Sequence, residues 1–208
     1  MTDDKMQTLK DDIAFMTALA REGSSTPLLF GGVMVSAGVI FGAGAVGHWA
    51  IVSGLLALSP WYIMANWVAA GAVFALTLAV LLGRSRGRPG ASAGVNKATG
   101  AAWSAVGFAI FTCWLGMTVI GLVTGDWAVM NVFPVVILAL YGAAWFVAGT
   151  LTGKGWIKLT ALTSFAAAVG MGALTGHPLQ MLGYAACLAL VTIAPGLILM
   201  RQEPTDIV

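Results

Sequence analysis

Charge is what this sequence has least of. Asp, Glu, Lys and Arg together make up 9% of its 208 residues, against about 25% in an average soluble domain. A soluble globular fold is thereby excluded. The 59% of hydrophobic residues and a mean hydropathy of +0.92 point to the bilayer instead. The apolar stretches delimited below contain no Asp, Glu or Arg, and their single Lys, Lys158, stands at the very end of its stretch. Proton-coupled carriers, pumps and voltage sensors work through such groups at membrane depth, so those classes are disfavoured. No HExxH zinc motif appears, nor the acidic metal cluster that a lipid-head-group enzyme would show. The chain therefore reads as a protein without an enzymatic site and without a cofactor. Cysteine is scarce too: Cys113 and Cys187 sit in apolar runs without CxxC spacing and read as packing residues. A cleavable signal peptide is not expected, because the first 26 residues are charged and lack a continuous apolar core.

What charge there is lies in a few places. The stretch Gly83–Gly90, continued by Asn96–Gly100, carries Arg84, Arg86, Arg88 and Lys97, no acid, and the Gly/Pro/Ser content of a connector. With the amino terminus inside, Lys5, Lys10, Arg21, Arg84, Arg86, Arg88, Lys97, Lys154, Lys158 and Arg201 all fall on the inner side, which is every one of the 10 basic residues. The opposite orientation would export all of them. The positive-inside rule thus predicts a multi-pass plasma-membrane protein (inner membrane in a bacterium) with both termini cytoplasmic. Beside a membrane, four loop cations serve orientation and attraction to anionic head groups, not nucleic acid.

The predicted fold is an all-α integral membrane protein, a six-transmembrane-helix bundle with an amphipathic cytoplasmic helix at its amino terminus. Residues 1–26 form that helix and a linker: Met6, Leu9, Ile13, Met16 and Ala20 recur at steps of three and four. Spans are expected over 27–47, 60–83, 101–123, 132–151, 157–175 and 178–200, with a cytoplasmic tail over 201–208. Thr26-Pro27 and Ser59-Pro60 are read as cap-plus-proline starts. His48-Trp49 is read as ending the first span, and Ala50–Leu58 as an interfacial piece too short to cross. Pro195 predicts a kink in the last span.

Small residues at spacing four, Gly32/Ser36, Gly38/Gly42 and Ala168/Gly172, are expected to let helices approach closely. Polar and aromatic residues gather at the outer side. Tyr62, Asn66, Trp67, Asn131, Gln180 and Tyr184 are the candidate members of a shallow outward pocket, set against the plainer reading of an aromatic belt. Trp114 and Trp145 fall near mid-span, as core packing or as the lining of an apolar cavity. His48 and His177, with Asp126, form a third candidate, a haem or metal site.

Three functions follow from these features. The first is a non-enzymatic protein acting through helix packing, as a homo-oligomer or an accessory subunit of a membrane complex. The second is a passive channel or carrier for a small neutral or apolar solute. The third is a haem- or metal-binding module. The bilayer and other membrane subunits are the expected partners.

Overall fold

The computed structural model describes residues 27–85, 90 and 92–203, together with Gln7 and Lys10. Among these residues the chain is all-α. Helix α1 covers Gly31–Val52, α2 Trp61–Ser85 and α3 Gly94–Thr124. A 3-10 turn over Trp127–Val132 leads into α4, Phe133–Thr152, followed by α5, Gly155–Ala173. Helix α6, Gln180–Leu188, passes through a π-helical turn, Ala189–Ile193, into α7, Ala194–Gln202. Counting α6–α7 as one, six helices are long and apolar enough to cross a membrane, and they form a multi-pass bundle. Gln7 and Lys10 are helical and exposed. The rest of the amphipathic helix expected over 1–23, and the tail after Glu203, lie outside the described residues.

The helices differ from the expected spans at their ends. Helix α1 starts at Gly31, not at Pro27, and Thr26 lies outside the described residues. No side chain of its own caps it. Instead Glu203, at the far end of the chain, accepts the Gly31 N–H at 3.2 Å, which puts a carboxylate on the positive end of the helix dipole. At its other end α1 runs through His48-Trp49 to Val52, so Ala50–Leu58 is no separate segment. Its first residues finish α1, and the rest is a turn made possible by Gly54 at φ +76°. Helix α3 begins at Gly94, seven residues before the expected 101. Lys97 thus sits on its first turn and not in a loop, and Asn96 ties the helix start down. The Asn96 Nδ2 group donates to the carbonyls of Pro27 and Gly90, both at 3.0 Å, and its Oδ1 accepts the Leu29 N–H at 3.3 Å.

Helix α1 is the spine of one half, packing against α2 on one side and against α6, the π turn and α7 on the other. Helices α4 and α5 form a tight hairpin that α3 and α6 flank. The core between the halves is centred on Trp145, which is completely buried. Its ring meets Phe30 at 5.6 Å and Trp103 at 5.3 Å, and Trp103 meets Tyr141 at 5.4 Å, all tilted or edge-on. Such geometry suits ring quadrupoles. Helix α2 is the exception to this packing: of its 25 residues only Ala70 is buried.

The π turn has a sequence cause. In an α-helix the Val191 carbonyl would be paired by the amide of residue 195, which is proline and has none. The Ala194 N–H reaches back five residues to Ala189, and the Trp145 Nε1–H donates to the Val191 oxygen at 2.9 Å. The departure that Pro195 predicts thus takes the form of a widened turn, locked by an indole from α4.

Hydroxyls inside the bundle are mostly satisfied on their own helix. Ser36, Thr118, Thr150, Thr152 and Thr163 each donate to the carbonyl four residues back. Ser164 instead crosses from α5 to the Leu138 carbonyl on α4 at 2.8 Å. On one face of α3, Thr99 Oγ1 and Trp103 Nε1 are buried without a hydrogen-bond partner.

Candidate functional site

The expected packing stripes are redistributed by the structure. Gly38 lies directly against Thr192 and Ile193 of the π turn. Gly42 has no atom within 4 Å of where a β-carbon would stand, so the Gly38/Gly42 pair is not one contact surface. Gly32 makes only ordinary contact, its β-carbon site lying 3.8 Å from Leu81, and Ser36 turns back to the Gly32 carbonyl. Ala168 is buried, whereas Gly172 is exposed and faces open space. A backbone-to-backbone approach that the spacing rule missed is Gly31 against Gly196. A β-carbon on Gly31 would lie 2.8 Å from the Gly196 oxygen, and one on Gly196 2.9 Å from the Gly31 oxygen. The two glycines are 165 residues apart in sequence, so no local pattern could pair them.

The polar residues expected on the outer side separate into two groups on either side of α1. Asn66 and Trp67 of α2 face α1: Asn66 Nδ2 donates to the Gly44 carbonyl at 2.8 Å, and Trp67 Nε1 donates to His48 Nδ1 at 3.1 Å. The His48 and Trp67 rings meet edge-on with centroids 6.1 Å apart. Gly47 lies nine residues beyond Gly38, about 180° round an α-helix, and its β-carbon site is 2.8 Å from Asn66 Oδ1. The Asn66 seam is thus opposite the face that meets the π turn. Gln180 is engaged elsewhere, its Nε2 donating to the Asn131 carbonyl and its Oε1 accepting the Gly176 N–H at 2.9 Å. Tyr184 is buried in the core and Tyr62 is exposed. Asn66, Tyr62, Gln180 and Tyr184 therefore do not line one pocket.

The seam between α1 and α2 holds a shallow groove of about 380 Å³, lined by Val39, Ala43 and Gly44 on one side and Asn66, Ala69 and Val73 on the other. One amide stands among apolar and small groups. A hydrogen bond of this kind between membrane helices contributes on average about 0.6 kcal/mol, so Asn66 registers the two helices and does little to hold them.

The histidines are each used locally. Because the indole N–H can only donate, His48 Nδ1 is an acceptor and its proton is on Nε2. A metal or haem iron would need that nitrogen bare. His177 Nδ1 accepts the Leu179 N–H at 3.2 Å, and Asp126 Oδ1 accepts the Ala128 N–H at 2.8 Å, capping the 3-10 turn. Among the described residues no three His, Cys, Asp or Glu side chains gather as a metal site. Of the mid-span tryptophans, Trp145 is a core residue and Trp114 is half-buried, stacked on Phe111 at 6.1 Å.

The spacing of a nucleophile elbow, GxSxG, does occur twice, around Ser85 and Ser92. The elbow needs a strand running into a helix. Ser85 instead closes α2, its hydroxyl donating to the Leu82 carbonyl at 3.0 Å, and Ser92 lies in the turn before α3. Both histidines stand at the opposite end of the bundle, so neither serine has one as a base. No family model, curated protein or solved structure matches the chain.

Proposed function

We propose that this protein has no enzymatic site of its own and acts by packing against other membrane helices, as a homo-oligomer or as an accessory subunit of a membrane complex. The observation that carries this reading is α2. It crosses with a single buried residue and packs extensively on α1 alone. Between helices in a bilayer the hydrophobic effect gives no drive, and association comes from close packing of small residues. The outward side of α2 offers Ala65, Ala72 and Ala79 at seven-residue steps, all exposed. A channel or carrier for a small neutral solute has less support, because aromatic rings fill the centre of the bundle.

The test uses a chain in which Cys113 and Cys187 are replaced by serine and Ala72 by cysteine. Mild oxidation in native membranes is expected to give a disulfide-linked species, at twice the chain mass for a homo-oligomer and at another mass for a foreign subunit. Monomer alone, with cysteine at 65, 72 or 79 in turn, would overturn the reading.

We also propose that both termini are cytoplasmic in the plasma membrane. The described residues support this by charge alone: Arg84, Lys97, Lys154, Lys158 and Arg201 share one end of the bundle, and Asp126 is at the other. An impermeant thiol reagent on intact cells is expected to label Ala128→Cys and to spare Ser92→Cys. The reverse pattern would invert the topology.

A further inference from the structure

We infer that the α4–α5 turn and the end of α7 form a binding site for the phosphate-bearing head group of an anionic glycerophospholipid. Three cations from two remote segments stand at this end of the bundle: Lys154 in the turn, Lys158 on the first turn of α5, and Arg201 on the last turn of α7. One side-chain bond joins the two segments. Lys154 Nζ donates to Gln202 Oε1 at 3.1 Å, bringing the turn to the end of α7 across 48 residues of sequence. The stem of Lys158 lies on α4, where a β-carbon at Gly149 would meet its Cγ at 2.8 Å. Its ammonium therefore extends from the helix surface toward the interface, as a snorkelling lysine does.

The counter-charge at this end is small. Glu203 is the one carboxylate there among the described residues, and its Oε1 already accepts the Gly31 N–H. Lys154 keeps further N–H groups beyond the bond to Gln202. The start of α5 adds to the site without carrying it: no acid stands in its first turn and no side chain caps it. Trp156, half-buried and packed against the core, anchors the same level at the interface. A phosphodiester held by a bilayer at this depth meets the donors of Lys154, Lys158 and Arg201 at one end of the bundle. Arg84 and Lys97, at the same end, are exposed on α2 and α3, and among the described residues neither helix is joined to the α4–α5 turn by a bond like that of Lys154 to Gln202.

The experiment is native mass spectrometry of the protein reconstituted with equimolar phosphatidylglycerol and phosphatidylcholine. Wild type is expected to retain phosphatidylglycerol selectively. Each cation near a membrane surface is worth about fivefold in affinity, so K154Q/K158Q/R201Q should lose on the order of a hundredfold of that preference. R84Q/K97Q should keep it, and K154R/K158R should restore it without a change in unfolding temperature. Equal loss in R84Q/K97Q would mean general attraction to a basic end and would overturn the site. So would an unchanged preference in the triple variant. Displacement of the lipid by inorganic phosphate at the same concentration would assign the site to a free anion and overturn the lipid reading.

Discussion

Gly196→Val is expected to destabilise the protein by about 3 kcal/mol, the upper end of the usual cost of overpacking. The reason is that both sides of this crossing are backbone. A β-carbon at Gly196 meets the Gly31 oxygen at 2.9 Å, and the mirrored addition at Gly31 meets the Met200 nitrogen at 2.7 Å. Side chains can change rotamer to admit a methyl group, but a helix axis must move as a whole. Moving it would also pull Glu203 off the Gly31 amide and Thr192 away from Gly38. Gly42→Val is the matched control, with open space at the β-carbon and an expected effect within about 0.5 kcal/mol. Thermal unfolding of both variants in one detergent measures the difference. Equal unfolding temperatures would show that α1 and α7 do not cross this closely.

The second large effect is expected at Trp145. Trp145→Ala removes the ring that Phe30 and Trp103 pack against and should cost about 3–5 kcal/mol. The more informative change is Trp145→Phe, which keeps most of the ring and removes the N–H. The Val191 carbonyl, on a residue with no exposed surface, then has neither the indole nor a backbone donor at position 195. An unpaired buried acceptor costs about 1–3 kcal/mol. Pro195→Ala supplies an amide four residues after Val191, within reach once the turn tightens. The double variant should therefore lose less than the sum of its singles, by about 0.5–3 kcal/mol, as for residues sharing one partner. Strict additivity would mean that the indole bond and the proline are unrelated.

The spans were legible because twenty or so apolar residues between charged turns admit one physical solution in a bilayer. Their ends were less so. Pro27 looked like a helix start, yet the start of α1 is stabilised by Glu203, and a cap supplied from 172 residues away leaves no local trace. Asn96 looked like a loop residue because its neighbours are Gly, Ser and Lys, but its three hydrogen bonds make it a buttress of α3. Small-residue spacing puts Gly38 and Gly42 on one stripe, yet within the chain Gly38 meets the π turn and Gly42 meets nothing. Spacing gives a face of the helix, whereas the depth at which a partner crosses depends on that partner. One signal was readable and went unused. Pro195 strands the Val191 carbonyl, and a buried tryptophan with its single donor was the group to look for. The candidate polar cluster divided because sequence places residues at a depth in the membrane, but not at an angle around the bundle.

The bond from Glu203 to Gly31 also bears on the order of assembly. Helix α1 has its amino end completed by a residue that is synthesised only after all six described spans. Hairpins α1–α2 and α4–α5 join neighbours in the chain and can close as they emerge. The seat of α7 in the groove of α1 must stay open while the four intervening spans insert. The segment around Glu203 is therefore a keystone, and a copy interrupted before it would be left with the start of α1 uncapped.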